Sequence, residues 1–406
     1  MNSSRWASFP FLISYLIIAG LILRLIFFGI SLEVLPASAD EANGVLTAKN
    51  ISQGEFPLLI TGSPYQFPLE SYFLTPLVSF LPRNSFGARY AAVLTGLLAI
   101  AGFMLVYRLL FPLRRSWPGF LLLLFPSAYW LLWQAAYIPT NYNPGLMLCV
   151  FGLLSALLVR LKKPYRFRLL FLAGILFGLA FCGILMLLPF LLMTGLFIIF
   201  DERGEKKFKG LLAFSLGLSL GLLPYFLAGW LIPGANQAVS GSYPWPEALR
   251  RSWSLLRHNL PVAMGISPCL YPDFKTTLSL FPGLALPFTI ICLLTLGMVT
   301  ILAGFQHLKK LREKKGLCLS GIDIFLGVTW ACLFLFILSR RSHTHTYRYL
   351  LPMVWSFPFL VGYLYKSSAR WLRLALGAGI FLLITLNITT GWALMRAWLQ
   401  PGFASA

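Results

Sequence analysis

The sequence predicts an all-α polytopic membrane protein, and three observations carry that reading. Of its 406 residues, 58% are hydrophobic and 11% are charged, which is more apolar surface than a water-soluble core can hide. The apolar residues fall in blocks of about 18 to 24, the length at which a helix rising about 1.5 Å per residue crosses a hydrocarbon core of about 30 Å. Runs such as LLAIAGFMLVYRLL and FLGVTWACLFLFIL lack the two-residue alternation of a membrane β-barrel, whereas a helix satisfies its backbone internally.

Taken in order, the blocks run Phe11 to Ile30, Ala88 to Leu110, Gly119 to Trp133, Pro144 to Val159, Leu169 to Phe200, Leu211 to Ile232, Leu280 to Ala303, Ile322 to Leu338, Leu350 to Tyr365 and Leu374 to Trp392. Leu169 to Phe200 is too long for one span and has basic sequence at both ends, so it reads as a two-helix hairpin turning near Cys182 and Gly183. About eleven transmembrane helices follow, in a single domain over residues 1–406 whose two ends lie on opposite sides. The first block resembles a signal peptide, with Ala37, Ser38 and Ala39 like a cleavage site. Its length and Arg24 favour a retained helix.

Lys and Arg in the short loops give the orientation. With a cytoplasmic N-terminus, the inner side holds Arg5, Arg108, Arg114 and Arg115, the run Arg160 to Arg168, the run Arg203 to Lys209, the run Lys309 to Lys315, and Lys366 to Arg373. That is about two thirds of the 33 basic residues. Basic inner loops beside anionic headgroups account for most of the net charge of +21, and no nucleic acid is needed to explain it. Cys149, Cys182, Cys292 and Cys332 lie in apolar runs, so no external disulfide framework is expected, although a Cys182 to Cys269 bridge stays open.

The polar chemistry collects in three outer segments, 31–87, 233–276 and 339–349. In the first, Ser38 and Glu41 form a capping-box pattern and Gly54 is a helix stop, so a helix of about four turns runs between them. Asp40 falls in its first turn, where free N–H groups and the helix dipole keep a carboxylate ionised. Asp40 and Glu41 either complement the dipole or do chemistry. Further on, Leu69, Tyr72, Phe73, Pro76, Leu77 and Phe80 share one side of a helix lying on the membrane surface, with Glu70 at its start. Here too the acid is either a simple first-turn residue or a functional one.

The last outer segment, SRRSHTHTYRYLLP, brings together Arg340, Arg341, His343, His345, Tyr347, Arg348 and Tyr349. Positive-inside statistics disfavour arginines there, and guanidinium groups suit a phosphate, whether of a substrate or of bulk lipid. His343 and His345 with a carboxylate of the first loop make a candidate metal site; a divalent metal is compatible with the sequence and not required by it. Tyr65, Tyr243 and Trp245 are either stacking platforms for a sugar or prenyl chain or interfacial anchors.

These residues carry a resemblance. Arg24 near the outer end of the first helix, ADEANGVLTAKNISQGEFP, SPYQFPLESYFLTPL and GARYAAVLTGLLAIAGFMLVYRLLFP together are similar to the opening of the GT-C glycosyltransferases, in the protein mannosyltransferase and aminoarabinose transferase branch. The likeness is strongest over Leu21 to Pro112, and RYLLP at Arg348 to Pro352 resembles a late element of the same family. It implies a GT-C arrangement of helices, an acidic catalytic base at the position of Asp40 with Glu41 beside it, and a polyprenyl-phosphate sugar as donor. It also implies that Arg348 meets the donor phosphate and that Glu70 and Arg89 match the surface-helix acid and the arginine opening the second span. The chain ends at Ala406, without the outer C-terminal domain of some members, so loops are expected to bind the acceptor.

The resulting expectation is sugar transfer from a lipid-linked donor to a hydroxyl of an envelope glycan, lipid or protein, on the outer face of the plasma (inner) membrane, by inverting displacement. A transporter or flippase of lipid-linked saccharides is the alternative. It would want broken helices or charges near the midplane, and apart from Arg24 the spans carry almost none.

Overall fold

The computed structural model describes residues 15, 17–26, 28–30, 39–60, 66–78, 87–113, 116–125, 141–161, 163–201, 205–233, 244–264, 282–312, 319–339 and 350–398. Their regular structure is helical, and among them no strand extends beyond a single bridging residue. In chain order the helices are α1 (Ile17–Ile30), α2 (Ala39–Ser52), α3 (Leu69–Val78), α4 (Gly87–Leu110), α5 (Trp117–Leu124), α6 (Tyr142–Leu158), α7 (Arg166–Gly183) and α8 (Leu188–Asp201). They continue with α9 (Glu205–Gly221), α10 (Leu223–Leu231), α11 (Trp245–Ala263), α12 (Ala285–Arg312), α13 (Gly321–Leu338), α14 (Leu351–Ser367) and α15 (Arg370–Trp398).

Five of these, α4, α7, α12, α13 and α15, are long and apolar enough to cross a membrane, and α9 with α10 makes a sixth span bent by 45°. Their outward faces are apolar, as Ile291, Leu294, Ile301 and Phe305 on α12 and Leu374, Phe381 and Leu382 on α15 show. The chain is an integral membrane protein. Among the described residues five or six spans stand where hydropathy predicts about eleven, and several apolar blocks there give helices that are broken or shorter. Pro224 breaks the Leu211 to Ile232 block, since it has no N–H to continue the ladder and starts α10 afresh. α1, α6 and α8 are apolar but shorter. In the block expected over Gly119 to Trp133, α5 has only eight residues, and 126–140 lie outside the described residues.

The expected turn at Cys182 and Gly183 is present. α7 ends at Gly183, Ile184 is extended, and a single 3-10 turn leads into α8. The segment reverses direction, because Phe197 near the end of α8 lies 4.4 Å under the guanidinium of Arg160, just past the end of α6, while Arg166 at the start of α7 lies against Gly210 of α9. Cys182 itself is free and buried, its thiol 3.5 Å from the carbonyl of Gly221.

Contacts of this kind sort the helix termini into two ends. At the basic end, Arg160 donates to the carbonyl of Leu319 just before α13 (2.7 Å), and Asp323 accepts from the Ser320 amide and hydroxyl while lying 3.0 Å from His307 of α12. At the other end are the starts of α4 and α6, the close of α7, the end of α13 and the start of α14. The first outer loop docks at this second end, hereafter the acid-bearing end.

Two close crossings hold the bundle. Gly174 and Gly178 on α7 face Gly217 and Gly221 on α9, and a methyl group added to any of the four would overlap backbone of the other helix. In lipid no hydrophobic effect draws helices together, so such small-residue crossings supply dispersion contact that side chains would prevent. Phe103 stacks on Trp355 at 4.7 Å and Phe325 on Phe359 at 3.6 Å, joining α4, α13 and α14 in the core.

Within the membrane Arg24 is buried. Its guanidinium donates to the carbonyls of Leu124 (2.6 Å) and Leu123 (3.2 Å), where α5 stops, and to Gly20 of its own helix (2.9 Å). A cation at a helix C-terminus satisfies orphan carbonyls and opposes the helix dipole. Arg24, the exception among spans that carry almost no charge, is therefore a helix cap.

Replacing Gly217 by leucine is expected to force α7 and α9 apart and to cost about 1 to 3 kcal/mol, the usual penalty for overpacking. Thermal unfolding of the purified protein in detergent checks this; a midpoint equal to wild type would count against the crossing as a structural lock.

Candidate active site at the acid-bearing end

α2 spans Ala39–Ser52 and is followed by Gly54 at φ 95°, a left-handed stop that suits glycine, so both bounds agree with the capping pattern. The backbone of Asp40 lies in the first turn as expected. Its side chain, like Ser38, lies outside what the structure describes.

Glu41, one residue on, turns inward and is 0% exposed. Arg89 in the first turn of α4, 1% exposed, meets it with two donors, Nε to Oε1 at 2.5 Å and Nη2 to Oε2 at 3.1 Å. This forked geometry makes the pair strong. Removing two charges from water costs several kcal/mol each, and only such geometry offsets that. Arg89, the arginine that opens the second span, is engaged by Glu41, and the pair ties the start of the first outer loop to a membrane span.

α3 lies across α2, as a surface helix should. Ser71 donates to the carbonyl of Gly44 (3.0 Å), and Ala48, Leu74 and Ala91 form a small core with α4. Leu69, Glu70, Ser71 and Leu74 are buried, Tyr72, Phe73 and Leu77 are half-buried and Pro76 is exposed; Phe80 lies outside the described residues. Of the stripe read as the side of a surface helix, Leu69 alone is buried among the described residues, and the polar Glu70 and Ser71 point in because they have partners there.

The chief partner is Asn141, which the sequence reading missed. It sits just before α6 at φ 49°, a left-handed conformation that asparagine tolerates better than most residues. Its side-chain oxygen accepts from the Glu70 amide (2.8 Å), its own amide donates to Glu70 Oε2 (3.2 Å), and its Nδ2 donates to the carbonyl of Phe67 (2.7 Å). The Phe67 amide in turn donates to the carbonyl of Cys182 at the end of α7 (3.0 Å). Asn141 thus clasps the first outer loop to α6 and α7. The only signal for it was its place before the helix-starting Pro144 in NYNPG.

Among the described residues Glu70 Oε1 is buried without a hydrogen-bond partner. Burial pushes the Glu70 carboxyl well above the ordinary carboxylate range; the Asn141 amide opposes this, and the charge of Glu41 adds to the rise. The two deep acids therefore sit in different surroundings, Glu41 forked by a guanidinium and Glu70 held by backbone and amide groups.

Arg340, Arg341, His343, His345, Tyr347, Arg348 and Tyr349 lie outside the described residues, as do Tyr65 and Tyr243. The flanking residues are described: Ser339 closes α13 and Leu350 opens α14, both at the acid-bearing end. Among the described residues no three His, Cys, Asp or Glu side chains gather where a metal ion would sit.

With this geometry in view, likeness to solved structures becomes informative. No protein-family model and no curated protein matches the sequence. The apo crystal structure of ArnT from Cupriavidus metallidurans superimposes with a TM-score of 0.56 at 13% identity, over 90% of this chain and 61% of that one. The fold is that of ArnT. A second ArnT structure from the same organism, bound to undecaprenyl phosphate, matches at 14% identity with a TM-score of 0.42, over 95% of this chain and 78% of that one. The chain spans about three fifths of the apo ArnT chain, 61%.

Two outcomes follow from the acid cluster. Arg89→Ala strands the Glu41 carboxylate in a dry site and is expected to cost about 3 to 5 kcal/mol, read as lost yield and a lower unfolding midpoint. A proton held by Glu70 in the fold but not in the unfolded chain makes stability greatest at low pH and erodes it as pH climbs from the usual carboxylate value toward the raised one. Glu70→Gln is expected to flatten that decline in a pH series of unfolding midpoints, and parallel curves for the two proteins would sink the assignment.

Proposed function

We propose that the chain is a GT-C-type glycosyltransferase of the plasma (inner) membrane, moving a sugar from a polyprenyl-phosphate donor to an acceptor hydroxyl on the outer face. The observation that carries this reading is the docking of the first-loop acid helix, on an ArnT fold, at the end of the bundle where both stems of the Arg- and His-bearing loop emerge. In this reading 1–406 is one domain of about eleven spans with a cytoplasmic N-terminus, the basic end inside and the acid-bearing end outside.

Asp40 is the general base. It takes the proton of the acceptor hydroxyl as that oxygen attacks the anomeric carbon, while the bond to the phosphate oxygen breaks and the phosphate leaves with the electron pair from the opposite face. Arg340, Arg341 and Arg348, with Tyr347 and Tyr349 beside them, stabilise the departing phosphate, and His343 and His345 are the ligands available to a divalent ion. Glu41, Arg89, Glu70 and Asn141 hold the base in place. A single displacement inverts the anomeric configuration.

Broken helices would also suit a transporter, and α9–α10 is such a break. Arg24, buried within α1, spends its guanidinium on helix carbonyls, which favours the transferase.

Membranes containing wild type or Asp40→Asn, with expression matched, are supplied with a panel of radiolabelled polyprenyl-phosphate sugars. Wild type is expected to transfer one of them with inversion by product NMR, and the variant to lose at least about a hundredfold in rate. Movement of lipid-linked sugar across vesicles without transfer would replace the enzyme by a transporter.

A further inference from the structure

α11 is amphipathic in an unusual way. Ala248 and its C-terminal stretch, Asn259 to Met264, are buried in the bundle. The exposed surface of its first turns is not simply polar. Trp245, Leu249 and Trp253 follow one another at four-residue steps and remain 54%, 62% and 47% exposed. Beside this apolar stripe run Arg250, Arg257 and His258, all exposed, and Glu247 is the only acid of the helix. Trp245 packs edge-on against Phe334 near the close of α13, ring centres 5.3 Å apart, which sets α11 at the acid-bearing end.

An exposed tryptophan–leucine stripe bordered by arginines matches the boundary between acyl chains and headgroups, where an indole sits at the interface and a guanidinium reaches phosphate. Exposed arginines on this side run against the positive-inside bias. Charge complementarity supplies a reason for them: a guanidinium gives charge-assisted, forked hydrogen bonds to a phosphodiester. A zwitterionic headgroup carries its own cation and competes for that phosphate, so the surface favours a net-anionic lipid.

We propose that the outward face of α11 is a docking surface for anionic phospholipid, with Trp245, Leu249 and Trp253 at the acyl boundary and Arg250 and Arg257 on the headgroup phosphate. Only the choice of leaflet rests on the orientation given under Proposed function. Lipid selectivity itself does not depend on whether the chain transfers sugar.

The full chain in detergent is titrated with dioleoyl phosphatidylglycerol or dioleoyl phosphatidylcholine, and bound lipid is counted by native mass spectrometry. Each arginine near an anionic surface strengthens attraction by about fivefold, so in R250Q/R257Q half-occupancy by phosphatidylglycerol is expected to need at least about fivefold more lipid, with phosphatidylcholine binding unchanged. Equal phosphatidylglycerol binding by the two proteins overturns the proposal. If the variant also loses phosphatidylcholine and unfolds early, R250K/R257K decides: it keeps both charges, and failure to regain phosphatidylglycerol binding overturns the proposal as well. A variant that loses lipid but still transfers sugar separates this surface from the catalytic reading.

Discussion

A carboxylate buried beyond the reach of water tolerates few arrangements, and Glu41 fixes much of what surrounds it. Its forked partner Arg89 is in the first turn of a membrane span, so the first outer loop cannot slide along the bundle without uncovering a charge. α2 is pinned by its second residue after Ala39, α3 is laid across it through Ser71, and Glu70 is brought close enough to Glu41 for the two charges to oppose each other. The fold meets that opposition by giving Glu41 a forked cation and by raising the Glu70 carboxyl above the ordinary carboxylate range. A membrane protein has little hydrophobic effect to spend on such docking, so polar contacts with defined geometry take its place.

The second constraint is close packing of backbone. Glycines on α7 and α9 let the two helices meet without side chains between them, up to the last turn of α7. Its last carbonyls, at Cys182 and Gly183, then stand at the level of the outer loop, where the Phe67 amide and Asn141 reach them. Packing within the membrane and order in the candidate site are thus two parts of one arrangement.

Much of this was legible in the residues. The four-turn helix after Ser38 followed from local capping chemistry and the Gly54 stop, and the turn at Gly183 from a block too long for one span with basic sequence on both sides. What escaped was whatever depends on distant partners. Hydropathy marks the apolar side of α3 as that of a surface helix and is silent on Glu70 and Ser71, which face inward because Asn141 and Gly44 await them from 71 and 27 residues away. The carbonyls at the close of α5 are met by Arg24, 100 residues upstream of Leu124. Asn141 offers no composition signal, since a left-handed clasp is a property of its surroundings. The basic and histidine-bearing loop was legible as a composition, and its stems give its place.

The arginine cap of α5 bears on how the chain is built into the bilayer. α1 leaves the ribosome first, and its guanidinium enters the membrane about a hundred residues before the carbonyls that satisfy it exist. An uncompensated arginine at mid-helix costs about 2.5 to 3.5 kcal/mol during insertion, and an eight-residue apolar helix cannot span a bilayer alone. Each is a poor insertion substrate and together they make a satisfied unit. The nascent chain therefore gains by keeping α1 near the insertion machinery until α5 emerges, which makes their meeting an early step of assembly, before the acid cluster can close above them.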